Sequence, residues 1–229
     1  MITRKSLMLS TLLLVATLCV TGCDDDDKEF IVDPNGDEPE ELMPLALGYE
    51  WQGIIYYIGE NQDTTAISNA AMQIDGAELI GTDSIYHVAS DTALDSTILP
   101  EYLINKDSAL LGYTADHLGL LLGPYTVAEY PTTLGASFDG YLGFETMVMS
   151  TAYPIEVAGG GFTTVYYRST HPGFHMGESD ISQVDRYFDP DVGLVRADVW
   201  GLDDQQTERL LFIWDLDTLI RDAVSASVN

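Results

Sequence analysis

His171, His175, Glu178 and Asp180 fall within the stretch HPGFHMGESD. Imidazole and carboxylate groups together suit zinc or a similar ion. Helical spacing sets His171 and His175 on one face, whereas Pro172 and Gly173 favour a turn. The plainer reading is a polar loop between YYRST and DRYF. Asp215 with Asp217, and Asp189 with Asp191, are carboxylate pairs that a strand would place on one face, as glycoside hydrolysis requires. Solvated turns explain them more simply. Gly-x-Ser-x-Gly, the P-loop, Gly-x-Gly-x-x-Gly and His-Glu-x-x-His are all missing, so no catalytic residue is assigned. His87 and His117 read as isolated, structural histidines. Tyr56-Tyr57 and Tyr166-Tyr167 carry a different chemistry. Adjacent rings on a strand point to opposite faces. One ring of each pair can enter a core while the other meets sugar, peptide or lipid.

The elements that position these residues are strands. WQGIIYYI, AISNAAMQI and DSIYHVAS are β-branched and aromatic runs. EYLINKDSALLGYTAD reads as a hairpin turning near Lys106-Asp107. FETMVMSTAYPIEV and GFTTVYYRST flank Gly159-Gly160-Gly161, and GLVRADVWGL and ERLLFIWDL flank a turn at Asp203 to Gln206. Val195, Ala197 and Val199 alternate with Arg196 and Asp198, the pattern of a strand wetted on one side. The run Leu210 to Trp214 is apolar on both faces, as in a more buried strand. Pro100 keeps any helix over 92–103 short, and Asp215 to Ala223 is a candidate terminal helix. The fold class expected is mainly β: a curved antiparallel sheet or half-barrel with a few short helices. PLALGYEWQG from Pro44 and PTTLGASFDG from Pro131 share Pro-x-x-Leu-Gly-x-x-aromatic-x-Gly, 87 positions apart. Either the halves 44–130 and 131–217 descend from a duplication, or five matches in ten are chance.

Charge bounds the partners. There are 37 acidic against 9 basic residues, a net charge of -28. Such a surface repels nucleic acid. The plainer reading is a soluble acidic surface; the sharper one is adaptation to saline surroundings, where ions screen the self-repulsion. Asp33, Asn35 and Asp37 have the opening spacing of a calcium loop, but Glu38 and Pro44 stand where glycine and glutamate are needed. Weak divalent binding is the most that spacing offers, and no cofactor is expected.

The remaining chemistry is a thiol. Arg4 and Lys5 precede the apolar run Leu7 to Val20, which is shorter than the roughly 20 residues of a transmembrane helix. Val20-Thr21-Gly22-Cys23 follows, and this segment resembles the lipobox of bacterial lipoproteins. The resemblance implies that the processing machinery places a diacylglyceryl thioether on Cys23, cuts before it, and leaves the membrane as first partner. Two or more acyl chains make such an anchor effectively permanent. Loss of Arg4 and Lys5 leaves seven basic against 37 acidic residues, a net charge of -30. Cys19 departs with the signal, so the mature domain has no thiol for a disulfide or a zinc site. Residues 24–41 hold ten acids and one base, a composition for a spacer rather than a core. Asp24, Asp25, Asp26 and Asp27 resemble a lipoprotein sorting signal. It implies an envelope location, either inner-membrane retention or, the preferred reading, export to the outer membrane and cell surface. The expected organisation is signal peptide 1–22, lipidated spacer 23–41, β domain 42–222 and tail 223–229. MPLALGYEW and YFDPDVGLVRADVW are similar to segments of β-rich diderm lipoproteins. That similarity implies a half-barrel like the Lol-type carriers, with Asp191 in place of a frequent glycine. The function expected is non-catalytic binding of a hydrophobic or carbohydrate ligand. A surface hydrolase or metal enzyme, and a purely structural module, are the alternatives.

Overall fold

A computed structural model describes residues 41–91, 95–176, 179–203 and 205–221. Cys23 and Asp24 to Asp27 lie outside the described residues, as does Glu178. The chain forms twelve strands: β1 Tyr49–Ile58, β2 Thr64–Ile80, β3 Asp83–Ser90, β4 Tyr102–Lys106, β5 Ala109–Ala115, β6 Leu121–Glu129, β7 Ser137–Asp139, β8 Glu145–Val157, β9 Gly160–Met176, β10 Ser179–Asp189, β11 Gly193–Leu202 and β12 Glu208–Arg221. One short helix, α1 Asp95–Ile98, links β3 to β4, and a 3-10 turn at Tyr141–Gly143 links β7 to β8. The sheet order is β6-β5-β4-β3-β2-β1-β12-β11-β10-β9-β8-β7, with antiparallel neighbours. It curls into a nearly closed barrel, beyond the half-barrel expected. The seam between β6 and β7 is held by a bridge from Thr126 to Gly140. Tyr167 in β9 reinforces it by donating to the Glu129 carbonyl at 2.5 Å.

Several sequence expectations change here. Asp215 to Arg221 is not helical but completes β12, where it pairs with β1. The alternation in Asp215-Leu216-Asp217-Thr218-Leu219 serves the pairing of the last strand with the first, a long-range contact that local helix propensity does not foresee. HPGFHMGESD is not a loop, because His171 to Met176 and Ser179 onward extend β9 and β10. β11 is buried on both faces, including Asp198, whereas β12 is only half-buried over Leu210 to Ile213.

A twelve-stranded ring is wider than the eight-stranded barrel that side chains alone can fill. Two chain segments close the difference. At the entry end, where odd-numbered strands begin, Leu42 and Met43 are buried. Asn105 in β4 donates to the Met43 carbonyl at 2.7 Å. At the opposite end α1 brings Ile98 and Leu99 inward. Between them lie Trp51, Trp214, Tyr167 and Phe188, all fully buried. Gly193 faces the first plug with φ +90, and a Cβ there would meet Met43 Cγ at 2.8 Å. Gly193→Ala is therefore expected to cost about 1–3 kcal/mol, read as a lowered urea midpoint.

The two halves each form a six-stranded meander. The shared motif also has one local geometry. Gly48 and Gly135 have φ of 84° and 80°. The next residue closes a turn in each case, Tyr49 N to Ala46 O and Ala136 N to Thr133 O. Each glycine N–H reaches the second strand that follows it, at Ile74 O in β2 and Val148 O in β8. Trp51 is fully buried and Phe138 half-buried, so the aromatic positions are less alike. An up-and-down meander has this symmetry whatever its ancestry.

Candidate functional site

The richest cluster of ionisable and aromatic groups lies on β8 to β12, on the face turned away from the core. Alternation puts it there. Val165, Tyr167, Val184 and Phe188 join the core cluster, so Tyr166, Arg168, Gln183, Asp185 and Tyr187 point the other way. In the same manner Ala197 and Trp214 face inward and set Arg196, Asp198 and Asp215 outward.

Asp185 is the hub. Arg168 grips it with Nε at 2.9 Å and Nη2 at 3.0 Å, the forked geometry of a strong pair. Tyr166 Oη and Gln183 Nε2 both donate to it at 3.0 Å. Arg168 also reaches Tyr166 Oη at 2.5 Å. Tyr166 and Tyr187 stack with centroids 4.5 Å apart and planes 16° apart. Tyr153 packs on both, at 5.5 and 5.6 Å. Tyr153 is 41% exposed while its two partners are buried. Next to this, Arg196 Nε donates to Asp198 Oδ1 at 2.6 Å and Nη1 lies 3.6 Å from Asp215 Oδ1. Asp215 Oδ1 accepts no hydrogen bond among the described residues. The tip of the β8–β9 hairpin bends towards this face, and Gly159 donates to the Leu216 carbonyl at 2.8 Å.

Burial sets the electrostatics. It pushes the Asp215 carboxyl up to about 6, against the pull of Arg196 and with the repulsion of Asp198. Burial also raises Asp198. It lifts the Tyr166 phenol to about 12, helped by the charge of Asp185. Every carboxylate here has an arginine beside it. The arrangement orients and holds; it does not leave two free carboxyls facing an open gap, as glycoside hydrolysis demands.

No protein-family model matches the sequence, and no curated protein matches it. Solved structures share its outline. One is a protein from Bacteroides fragilis, inferred to be exported and described as having a YmcC-like fold. It is 11% identical, with a TM-score of 0.47 over 79% of this chain and 99% of that one. Another is from Parabacteroides distasonis and is inferred to be a lipoprotein. It is 13% identical, with a TM-score of 0.42 over 80% of this chain and 100% of that one.

The residues singled out from sequence are scattered. Tyr166 and Tyr167 do face opposite ways, but Tyr167 is a core residue and Tyr166 is buried under Tyr153. Tyr57 packs 6.4 Å from Phe212 against the core, and Tyr56 is half-buried on the other face. His171 sits 5.2 Å from the Phe144 ring. Asp180 is opposite His175 in the β9–β10 ladder, while the His175 side chain is outside the described residues. No group of three metal-ligating side chains occurs among the described residues. Asp189 is buried and accepts the Asp191 N–H at 3.0 Å, so it shapes a turn. His87 is not isolated: Nδ1 lies 2.5 Å from Asp75, Nε2 lies 3.7 Å from Glu101, and Tyr102 covers the ring. Sequence reasoning missed Tyr153, Arg168 and Asp185. Their register across three strands is the missing information, and no spacing along the chain encodes it.

Proposed function

We propose that the protein is a lipid-anchored cell-envelope protein of non-catalytic binding type. Cys23 carries the lipid, and the outer face of β8 to β12 takes a carbohydrate. The observation that carries this reading is the exposed Tyr153 ring beside the Arg168–Asp185 fork. An aromatic face stacks on sugar C–H groups, and a nearby fork and amide supply hydrogen bonds to hydroxyls. The barrel interior favours this face over an inner apolar site, because tryptophans, Tyr167 and the two plugs fill it. Asp24 to Asp27 support export to the cell surface.

Isothermal titration of the lipoprotein in detergent against a panel of bacterial and host polysaccharides tests the ligand. Tyr153→Ala is expected to weaken the binding of the sugar found by roughly tenfold, the loss of one stacking contact. Unchanged affinity in that variant would remove this face from consideration. Metabolic labelling with an alkyne fatty acid tests the anchor, and the label should vanish in Cys23→Ser.

A further inference from the structure

We infer that the entry end of the barrel docks on a lipid bilayer, so that the anchored domain stands in a fixed orientation on it. This rests on the reading of Cys23 as the lipid anchor. Strand direction locates the feature. The chain arrives from Cys23 through Glu41 at the end where β1, β3 and the other odd strands begin. Four exposed large apolar side chains decorate that end: Leu47, 47% exposed, Leu79, 75%, Ile80, 45%, and Leu134, 71%.

Their placement is systematic. Leu47 and Leu134 are the matching corners of the repeated Pro-x-x-Leu-Gly turn, each held outward by the glycine that follows at positive φ. Leu79 and Ile80 end β2, which continues from Gln73 beyond its pairing with β1 and projects as a hairpin with β3. Apolar corners on one rim serve as shallow insertion points, each gaining by the area it removes from water. Residues 24–41, eighteen in all, lead from Cys23 to the barrel. Their reach is at most about 60 Å, so the rim stays within range of the bilayer that holds the anchor.

Charge narrows the kind of surface. Lys106 is paired to Asp83 on this rim, and Glu41 and Asp107 add negative charge. The rim therefore fits zwitterionic head groups, or anionic ones bridged by divalent ions, and is repelled by bare anionic lipid. Leu118, Leu120 and Leu122 are exposed at the opposite end and form the competing surface.

The test uses the lipoprotein in phosphatidylcholine vesicles. An environment-sensitive dye is placed on Thr82→Cys at the entry end or on Gln205→Cys at the far end. Quenching by lipid-borne spin labels is expected to be several-fold stronger at position 82. Leu79→Asp with Leu134→Asp should lower the docked fraction relative to the undocked one roughly tenfold, from the lost apolar burial. Equal quenching at both positions, or stronger quenching at position 205, overturns the proposal. Mass spectrometry of the same sample reads the adduct on Cys23, so failure of the anchor and failure of docking are separate results. A form with an amino-terminal hexahistidine in place of Cys23, held on nickel-chelating lipid, gives the docking result if Cys23 carries no lipid.

Discussion

Replacement of Arg186 by alanine is expected to destabilise the domain by about 3–5 kcal/mol, the largest effect of any single polar substitution in it. Arg186 is buried inside the barrel on β10. Its Nε donates to the Ile98 carbonyl at 2.6 Å and Nη2 to the Thr97 carbonyl at 2.9 Å. Nη1 donates to Ser169 Oγ at 2.8 Å, and Ser169 meets Thr146 Oγ1 at 2.8 Å. The guanidinium thus caps the last carbonyls of α1 and ties that plug to β8, β9 and β10. Burial pushes it down to about 10, so it stays charged at neutral pH.

A buried charge is often replaceable by an apolar side chain at little cost, since its desolvation disappears with it. The Ile98 carbonyl stays buried and loses this donor whatever replaces the arginine. Arg186→Met, which keeps the stem and its volume, should therefore still lose about 2–3 kcal/mol. Chemical denaturation should show the alanine variant's urea midpoint lowered by roughly 1–3 M. Hydrogen exchange at Thr97 to Leu99 should accelerate more than at Val184. A methionine variant as stable as the parent would mean that the carbonyls find other donors, and the latch would be dismissed.

Arg186 also marks what local pattern can and cannot reveal. Val184, Arg186 and Phe188 share one strand face, and alternation reads Arg186 as an interruption, with no hint of a partner 88 residues away. The turn at Lys106-Asp107 was legible because the next position combines with it in a left-handed pair, φ 51° at Asp107 and 65° at Ser108. The strands of β3 and β11 were legible from β-branched alternation. β12 beyond Trp214 reads as a candidate helix, because nothing local shows that Asp215 to Arg221 has a partner until β1 supplies the pairing. The plugs were not legible either: Leu42-Met43 and Ile98-Leu99 are short apolar pairs beside prolines, with no period to read. The outer face depended on register. Tyr166 was named for its type, yet its meaning comes from Tyr153 and Tyr187, which reach it from neighbouring strands.

Acidification from pH 7 to pH 5 is expected to stabilise the domain, contrary to the usual behaviour of carboxylate-rich proteins. Asp215 has its folded pKa raised from 3.8 to about 6, and Asp198 and Asp189 are raised as well. A raised carboxyl binds its proton in the folded chain while the unfolded chain is still ionised. Between about pH 6 and pH 4 the folded state holds more protons, so stability rises as pH falls through that window. The contribution of Asp215 is about 1–2 kcal/mol once its partial contact with solvent is allowed for. The melting temperature should rise by roughly 2–6 °C. High salt separates this local term from general repulsion among the 37 acids, since salt screens the exposed charges far more than the buried ones. Asp215→Asn removes the term while leaving Arg196 its bond to Asp198 at 2.6 Å. That variant should melt higher than the parent at pH 7 and show a smaller rise on acidification. If it melts lower at pH 7, the Arg196–Asp215 attraction outweighs the burial cost, and Asp215 is a stabilising ion-pair member instead of a strained one.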